Sequence, residues 1–179
     1  MSFSYSLICE IKIICATVLV IGMYLLPCEF FVTSASASSK VSDLNAFDEA
    51  LITMGIGEQN LVAVSSVIPA GAVEVNVKDM PRGAVTHCVL AQIRGSGGDV
   101  ISAGIAYAFR KDGSGGYVAE GRIHGSESSL KDTLKCKMNE MARCRNIELS
   151  DIRYVTEELS VPKEEYGACL AALVFTRYE

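Results

Sequence analysis

The sequence predicts an α+β fold in which layered, mostly antiparallel sheets carry helices on their outer faces. The chain has 179 residues, half of them apolar, which is enough for one domain with a sizeable core. Two segments have helical periodicity, and seven or eight have the composition of strands. Five strand segments follow one another without an intervening helix, which indicates antiparallel pairing.

The two predicted helices each have one apolar face. The first covers residues 44–54, with Asp43 as its cap and Gly55 as its end. Its apolar positions are Leu44, Phe47, Leu51 and Met54. The second covers residues 127–145, and its apolar positions are Leu130, Leu134, Met138, Met141 and Cys144. Each face therefore needs a sheet to cover it.

The strands are predicted from β-branched and apolar runs bounded by turn residues. They cover residues 60–64, 72–77, 84–93, 100–109, 117–123, 152–157 and 168–176. The last is apolar enough to be central and covered on both sides. The glycine-rich segments 94–99 and 111–116 predict hairpin turns. Neither contains the Lys-Ser or Lys-Thr of a phosphate-binding loop, which excludes nucleotide binding.

Charge and cysteine content exclude further classes of protein. The net charge is −5 and the basic residues are not clustered, so nucleic acid is not an expected partner. The seven cysteines are odd in number and form no Cys-x-x-Cys motif. Neither a disulfide framework nor a zinc site is therefore indicated, and no metal is expected. We expect buried free thiols in the reducing cytoplasm.

The N-terminal region has an ambiguous pattern. Residues 13–28 are uncharged, and the small residues 35–37 imitate a signal cleavage site. The run is only 16 residues long and contains Gly22 and Pro27, whereas a membrane span needs about 20 apolar residues. Membrane contact through this run is therefore not favoured. The competing interpretations are a mobile extension and a true start at Met23, with residues 29–33 (EFFVT) as the first strand.

Two adjacent serines, Ser65 and Ser66, interrupt the apolar run LVAVSSVIP. Taken alone, such a pair is typical of hydroxyls that bond to nearby backbone. The longer segment 44–69, LNAFDEALITMGIGEQNLVAVSSVIP, resembles the pyruvoyl-dependent arginine decarboxylases. The similarity continues through MPRGAV (80–85), KDGSGGYVAEG (111–121) and YGACLAAL (166–173).

The resemblance covers nearly everything after Pro27. It departs from the family at Ala70, where a second proline is common, and the first 22 or so residues have no counterpart. We therefore expect a hydrophobic extension over residues 1–27 and a decarboxylase domain over residues 28–179. The implied architecture is an αββα sandwich.

Self-cleavage between Ser65 and Ser66 is what the resemblance implies for the chemistry. The Ser66 hydroxyl attacks the Ser65 carbonyl, and elimination from the resulting ester leaves dehydroalanine, which hydrolyses to a pyruvoyl group. This covalent pyruvoyl group, derived from Ser66, is the implied cofactor. Its ketone forms a Schiff base with the α-amine of L-arginine and accepts electrons as carbon dioxide leaves, which yields agmatine.

Two residues are implied to assist the reactions. By resemblance, Asn60 assists self-cleavage, and Glu120 returns a proton to the substrate α-carbon as a partly buried general acid. In the alternating strand YVAEGRI (117–123), Glu120 is predicted to share a face with Val118 and Arg122. From the residues alone, ordinary interpretations stay open for both Asn60 and Glu120. Asn60 can simply complete the glycine-rich turn at 55–57, and Glu120 can be a solvent-facing partner of Arg122.

Substrate binding is implied for three more positions. Asp48 lies at the margin of the apolar stripe of the first helix. By resemblance its carboxylate binds the substrate guanidinium, a geometry that suits paired acceptors. Gly57 and Ser65 are implied to line the same pocket. The alternative for Asp48 is an ordinary acidic residue in the first turns of a helix.

The implied assembly is a homotrimer, or a multiple of it, with active sites between subunits. Two alternatives to arginine decarboxylation remain at this point. One is a pyruvoyl decarboxylase for another amino acid such as histidine, against which Asp48 argues. The other is an uncleaved, membrane-tethered paralogue with a binding or scaffold role. His87 lies inside an apolar run and is expected in the core, His124 lies at a strand end and is expected at the surface, and neither is assigned a function.

Overall fold

Two β-sheets stack face to face, and one helix covers the outer face of each. The computed structural model describes residues 24–179. The strands are β1 (Pro27–Ser39), β2 (Asn60–Ala63), β3 (Val67–Ile68), β4 (Val73–Glu74), β5 (Val85–Ser96), β6 (Val100–Phe109), β7 (Gly116–His124), β8 (Arg153–Ser160) and β9 (Tyr166–Tyr178). The five-stranded sheet has the order β2-β5-β9-β1-β4, and the four-stranded sheet has the order β3-β7-β6-β8. The prediction of an αββα sandwich is confirmed.

Helix α1 (Asp43–Thr53) covers the five-stranded sheet, against which it buries Ala46, Ala50 and Leu51. Its N-cap is Ser42, whose hydroxyl accepts a hydrogen bond from the Asn45 amide. The prediction of Asp43 as the cap was therefore wrong by one residue, because a serine that can cap precedes it. The prediction of Leu44 as a core residue was also wrong, since Leu44 is 61% exposed.

Helix α2 (Glu127–Arg145) has the predicted bounds and covers the four-stranded sheet. Its residues Leu130, Leu134 and Met138 are fully buried against that sheet. Cys144, which was predicted to lie on the apolar face, is exposed. The helix ends at Asn146, which adopts a left-handed conformation with φ of 50°, a conformation that asparagine tolerates better than most residues.

The main core lies between the two sheets. Its larger members are Phe30, Ile101, Ile105, Val118, Leu173 and Phe175. Strand β9 contributes to both faces of its sheet, because Leu173 faces this interlayer core while Leu170 and Val174 face α1. The predicted central, doubly covered position of the last strand is confirmed.

Strand pairing differs from the prediction in three places. Strand β2 pairs with β5 in parallel, and the run 72–77 supplies only the short β4, which pairs with β1 in parallel. The segment 94–99 joins β5 to β6, which belong to different sheets, so it is not the predicted hairpin turn. The segment 111–116 does join the antiparallel pair β6 and β7, as predicted.

The N-terminal strand β1 is longer than residues 29–33, the strand proposed with a start at Met23. It pairs along its whole length with β9 in antiparallel register. Most of the apolar run 13–28 lies outside the described residues. No helix within residues 24–179 is both long and apolar enough to cross a membrane.

Five of the cysteines lie in the described part of the chain, and all five are free thiols. Only Cys88 and Cys169 are buried, and burial raises their pKa to about 11 and about 12. Cys136 and Cys144 are exposed. The expectation of buried thiols therefore holds for two of the five.

The chain passes from one sheet to the other at the serine pair. The amide of Val64 donates to the Cys88 carbonyl at 3.0 Å, which extends the β2–β5 pairing of the five-stranded sheet. The carbonyl of Ser66 accepts a hydrogen bond of 3.0 Å from the Val118 amide, which extends the β3–β7 pairing of the four-stranded sheet. Ser65 is therefore the single residue between two hydrogen-bonded sheets.

The turn before β7 provides a test of this arrangement. Gly115 has φ of 92°, and a Cβ there would overlap the Ile68 carbonyl oxygen in β3. We expect Gly115→Ala to destabilise the fold by about 2–4 kcal/mol, since a left-handed conformation costs about 1–2 kcal/mol and the overlap adds to it. Urea unfolding at one protein concentration measures the change.

Gly113→Ala is the matched control. Gly113 has φ of 77°, and a Cβ there meets no atom within 4 Å, so it carries only the conformational cost. Equal destabilisation by the two substitutions would contradict the close packing of β3 against this turn.

Candidate active site

The link between the two sheets is a tight turn centred on Ser66. The Val67 amide donates a hydrogen bond of 2.9 Å to the carbonyl oxygen of Ser65. This bond joins residues two apart, which is the pattern of a γ-turn. The carbonyl that precedes Ser66 is therefore already polarised by a hydrogen-bond donor.

The side chain of Ser66 points towards the second sheet. Its hydroxyl donates to Oε2 of Glu120 at 3.2 Å. Glu120 lies on β7, between Val118, which belongs to the interlayer core, and Arg122, which lines the same cleft as Glu120. The predicted shared face of these three residues is confirmed. The expectation that Glu120 is partly buried was wrong for the single chain, in which it is exposed because it lines an open cleft.

A cleft of about 490 Å³ opens beside Glu120. It is lined by Leu90, Ala91, Gln92, Glu120, Gly121, Arg122 and Lys137. The Lys137 ammonium donates to the main-chain oxygen of Glu120 at 2.7 Å. Two cationic side chains, Arg122 and Lys137, therefore lie in the cleft beside Glu120.

Ser65 lines a second pocket, of about 320 Å³, on the side of the link that faces β5 and β9. His87 and Tyr178 lie in the same pocket, and His87 Nδ1 is 2.8 Å from the Tyr178 hydroxyl. Burial raises the pKa of Tyr178, so its phenol stays protonated at neutral pH. His87 is half-buried beside the serine pair, not enclosed in the core as its apolar surroundings in the sequence indicated.

Asn60 lies at the opposite end of β2 from the serine pair. Its side-chain amide donates to the Gly83 carbonyl at 2.8 Å, and its main-chain amide donates to the Ala84 carbonyl at 2.9 Å. An extended chain advances about 3.3 Å per residue, so Asn60 and Val64 are separated by about 13 Å. Within one chain, Asn60 anchors the 81–84 turn and does not contact the Ser65 carbonyl.

Asp48 and Gly57 lie on the far side of the five-stranded sheet from Glu120. Asp48 is exposed on α1, one turn before the exposed Ile52. A Cβ on Gly57 would lie 2.8 Å from a side-chain atom of Ile52 and 2.9 Å from its Cα, so only glycine fits against this end of the helix. Asp48 and Gly57 are therefore close to each other but not to Ser66.

The sequence-predicted site residues thus form two groups. Ser65, Ser66 and Glu120 meet at the crossing between the sheets. Asp48 and Gly57 lie together at the outer face of the five-stranded sheet, and Asn60 lies at the start of β2. The first group can perform an acyl transfer at the Ser65 carbonyl. Ser66 supplies the nucleophile, Glu120 accepts its proton, and the adjoining Val67 amide donates to the developing oxyanion.

The model of one protein family matches this chain over residues 29–179, and its description is pyruvoyl-dependent arginine decarboxylase. The chain belongs to this family. A pyruvoyl-dependent family implies a covalent pyruvoyl group.

Relatives of that name are similar along most of their length. The protein from Methanopyrus kandleri is 34% identical over 149 residues, which cover 83% of this chain and 97% of the relative. The protein from Thermococcus kodakarensis is 32% identical over 154 residues, covering 85% and 97%. The protein from Pyrococcus furiosus is 33% identical over 147 residues, covering 80% and 92%.

Sequence reasoning missed the donors that the crossing uses. The amides of Val67 and Val118 contact the Ser65 and Ser66 carbonyls through the backbone, for which a sequence contains no signal. Lys137 was not singled out from the sequence, because its spacing of three residues from Leu134 gives no indication of a contact with Glu120. Only the relative position of α2 and β7 reveals it.

The Val67 amide provides the sharpest test of the crossing geometry. We expect Val67→Pro, which removes the donor to the Ser65 carbonyl, to slow cleavage at the serine pair by about 10²- to 10³-fold, the usual effect of losing one oxyanion donor. Mass spectrometry of samples taken during cell-free synthesis measures the rate. Val67→Ala keeps the amide and is expected to cleave at the wild-type rate. Fast cleavage of Val67→Pro would contradict a role for this donor.

Proposed function

We propose that the chain cleaves itself between Ser65 and Ser66 and then converts L-arginine to agmatine and carbon dioxide, acting in the cytoplasm. The catalytic domain spans residues 28–179, and residues 1–27 form an extension. The contact of 3.2 Å between the Ser66 hydroxyl and Glu120 is the observation that carries the proposal. This contact lies where the chain passes from one sheet to the other, between Val64 and Ser66.

Self-cleavage begins with the attack of Ser66 Oγ on the carbonyl carbon of Ser65. The hydroxyl proton passes to Oε2 of Glu120, the atom to which it is already hydrogen-bonded. Negative charge develops on the Ser65 carbonyl oxygen, where the Val67 amide donates. The C–N bond breaks, the amine takes up a proton, and an ester replaces the amide.

Elimination then removes the proton from the Ser66 α-carbon and breaks the bond between Cβ and the ester oxygen. The Ser65 carboxylate leaves as the new end of the smaller chain. Water adds to the remaining dehydroalanine, tautomerised to an imine, and ammonia departs. The net balance is one water consumed and one ammonia released, which leaves a pyruvoyl group at the start of the larger chain.

The residues around Ser66 fit a pyruvoyl group. The Ser66 carbonyl becomes the amide carbonyl of that group and keeps the Val118 amide as a donor at 3.0 Å. Glu120 stays on the other side, where its carboxyl contacts the former hydroxyl position. Once formed, the group supplies an electron sink for the bond that breaks when carbon dioxide leaves. Glu120 holds the proton that returns to the substrate α-carbon.

Recognition of the substrate guanidinium by Asp48 requires a second copy of the chain. Asp48 and Glu120 lie on opposite sides of the five-stranded sheet within one chain, so one chain cannot bring both to one arginine. Asn60, about 13 Å from Val64 along β2, likewise reaches a serine pair only in a neighbouring copy. We therefore propose a trimer, or a multiple of it, with Asp48, Gly57 and Asn60 of one copy facing the serine pair of the next.

Exposed surfaces support this head-to-tail contact. On α1, Leu44 and Ile52 flank Asp48 at spacings of four residues and are 61% and 59% exposed. The cleft beside Glu120 contains Arg122 and Lys137, whose charges are complementary to an acidic helix face.

The strand edges beside the serine pair are also available for contact. The pairing of β2 with β5 ends at Cys88, and the pairing of β3 with β7 ends at the hydrogen bond between Ser66 and Val118. Beyond these points β5 and β7 both have open edges. Open edges favour contact with another chain.

Intact-mass spectrometry tests self-cleavage. We expect the wild-type protein to give two chains divided after Ser65, with the larger chain lighter by one ammonia than its sequence mass. Ser66→Ala lacks the nucleophile and is expected to give one chain of full mass without decarboxylase activity. Two chains from Ser66→Ala would contradict the processing scheme. One full-mass wild-type chain would favour an uncleaved protein with a binding role.

Complementation between variants tests the shared site. Asp48→Ala and Glu120→Gln each remove one half of a site, so we expect each purified protein to be nearly inactive towards arginine. Coexpressed in equal amounts, they should regain activity, because about a quarter of the sites in a randomly assembled ring combine an intact Asp48 with an intact Glu120.

Formation of agmatine, measured per cleaved chain, reports the outcome. Ser66→Ala coexpressed with Glu120→Gln is the control, since neither chain then supplies both a pyruvoyl group and Glu120. A mixture of Asp48→Ala and Glu120→Gln that stays as inactive as its components would contradict a site shared between copies.

A further inference from the structure

The main-chain oxygen of Glu120 lies at an edge from which the neighbouring strand has departed. Strand β3 pairs Val67 with Tyr117, and the Val118 amide donates to Ser66 at the next step. Main-chain groups two residues apart on a strand point to the same edge, so the Glu120 carbonyl points to the edge that β3 occupies.

The residue that this ladder would place opposite Glu120 is Val64. Val64 cannot pair with Glu120, because the Val64 amide donates to the Cys88 carbonyl in the other sheet at 3.0 Å. The crossing at the serine pair therefore removes the strand partner of Glu120 at the position where Glu120 contacts Ser66.

Lys137 replaces the missing partner. Its ammonium donates to the Glu120 main-chain oxygen at 2.7 Å. Lys137 lies on α2 at the edge of the face that packs on the four-stranded sheet. Its neighbours on that face, Leu134 and Met138, are fully buried. The hydrogen bond thus connects a rigid helix to the free edge of β7, at the residue whose side chain contacts the serine nucleophile.

We infer that Lys137 is a positioning residue of the decarboxylase. By fixing the main chain of Glu120, it holds the carboxyl at the distance from residue 66 that proton transfer requires. Lys137 acts through Glu120 and need not contact the guanidinium of the substrate, which the proposed function assigns to Asp48 of a neighbouring copy. This inference rests on that proposed function.

Three variants test the inference in the full-length protein. Lys137→Met keeps the apolar stem and removes the donor, and Lys137→Arg keeps a cationic donor. Lys135→Met is the matched control, because Lys135 is exposed two residues away on α2 and its ammonium makes no hydrogen bond or ion pair with any described residue. For each variant, kcat and KM for arginine are measured per cleaved chain, together with the thermal midpoint.

We expect Lys137→Met to lower kcat by about three- to tenfold, the effect of losing one hydrogen bond to the main chain, with KM changed by less than about twofold. Lys137→Arg should restore most of kcat, and Lys135→Met should match the wild type. The thermal midpoint should be similar for all four proteins, which separates positioning from general stability.

Three results would overturn this inference and leave the proposed function standing. One is an active wild type with the same kcat for Lys137→Met, and another is an equal loss for Lys135→Met. The third is a rise in KM without a fall in kcat, because it would place Lys137 in substrate binding. A wild-type chain that neither cleaves nor decarboxylates overturns the proposed function, and this inference with it.

Discussion

The passage of the chain from one sheet to the other within a single residue is the constraint on which the site depends. Val64 is committed to the first sheet and Ser66 to the second, each through a main-chain hydrogen bond of 3.0 Å. The residues on both sides of Ser65 are thus held by strand pairing, and neither can shift without breaking hydrogen bonds of its sheet. The peptide bond between the serines is held in a tight turn, and the attacking hydroxyl has one carboxylate within reach. Rigid sheets therefore supply the orientation that an intramolecular reaction needs.

Cutting this link leaves both sheets intact. The piece that ends at Ser65 contains β1, α1 and β2, and the remaining strands belong to the larger piece. Strand β1 lies inside the five-stranded sheet between β9 and β4. Its residues Phe30 and Phe31 are fully buried in two different cores. The smaller chain is therefore held by main-chain pairing and by apolar contacts on both faces, and cleavage releases only the turn.

Local signals in the sequence were sufficient for some elements and insufficient for others. Helix α2 was predicted to its ends from the spacing of its apolar residues, and the structure shows local signals at both ends, a cap at Ser126 and a left-handed Asn146. The parallel pairing of β2 with β5 was not predicted, since it depends on which segments meet in space. For the site, the serine pair and Glu120 were found by family resemblance, whereas the amides of Val67 and Val118 were not. Backbone donors leave no trace in residue identity.

The position of Asp48 follows from the packing of α1. Ala46 and Ala50 bury one side of the helix against the five-stranded sheet, so the opposite side, with Leu44 and Ile52, must face outwards. Covering a large apolar side chain contributes about 1.5–3 kcal/mol when the burial is complete. In the proposed assembly, a second copy that covers these two residues would gain that energy while its own serine pair approaches Asp48. Assembly and completion of the substrate site would then be one event, and an acid remote from Glu120 in one chain could serve the same reaction.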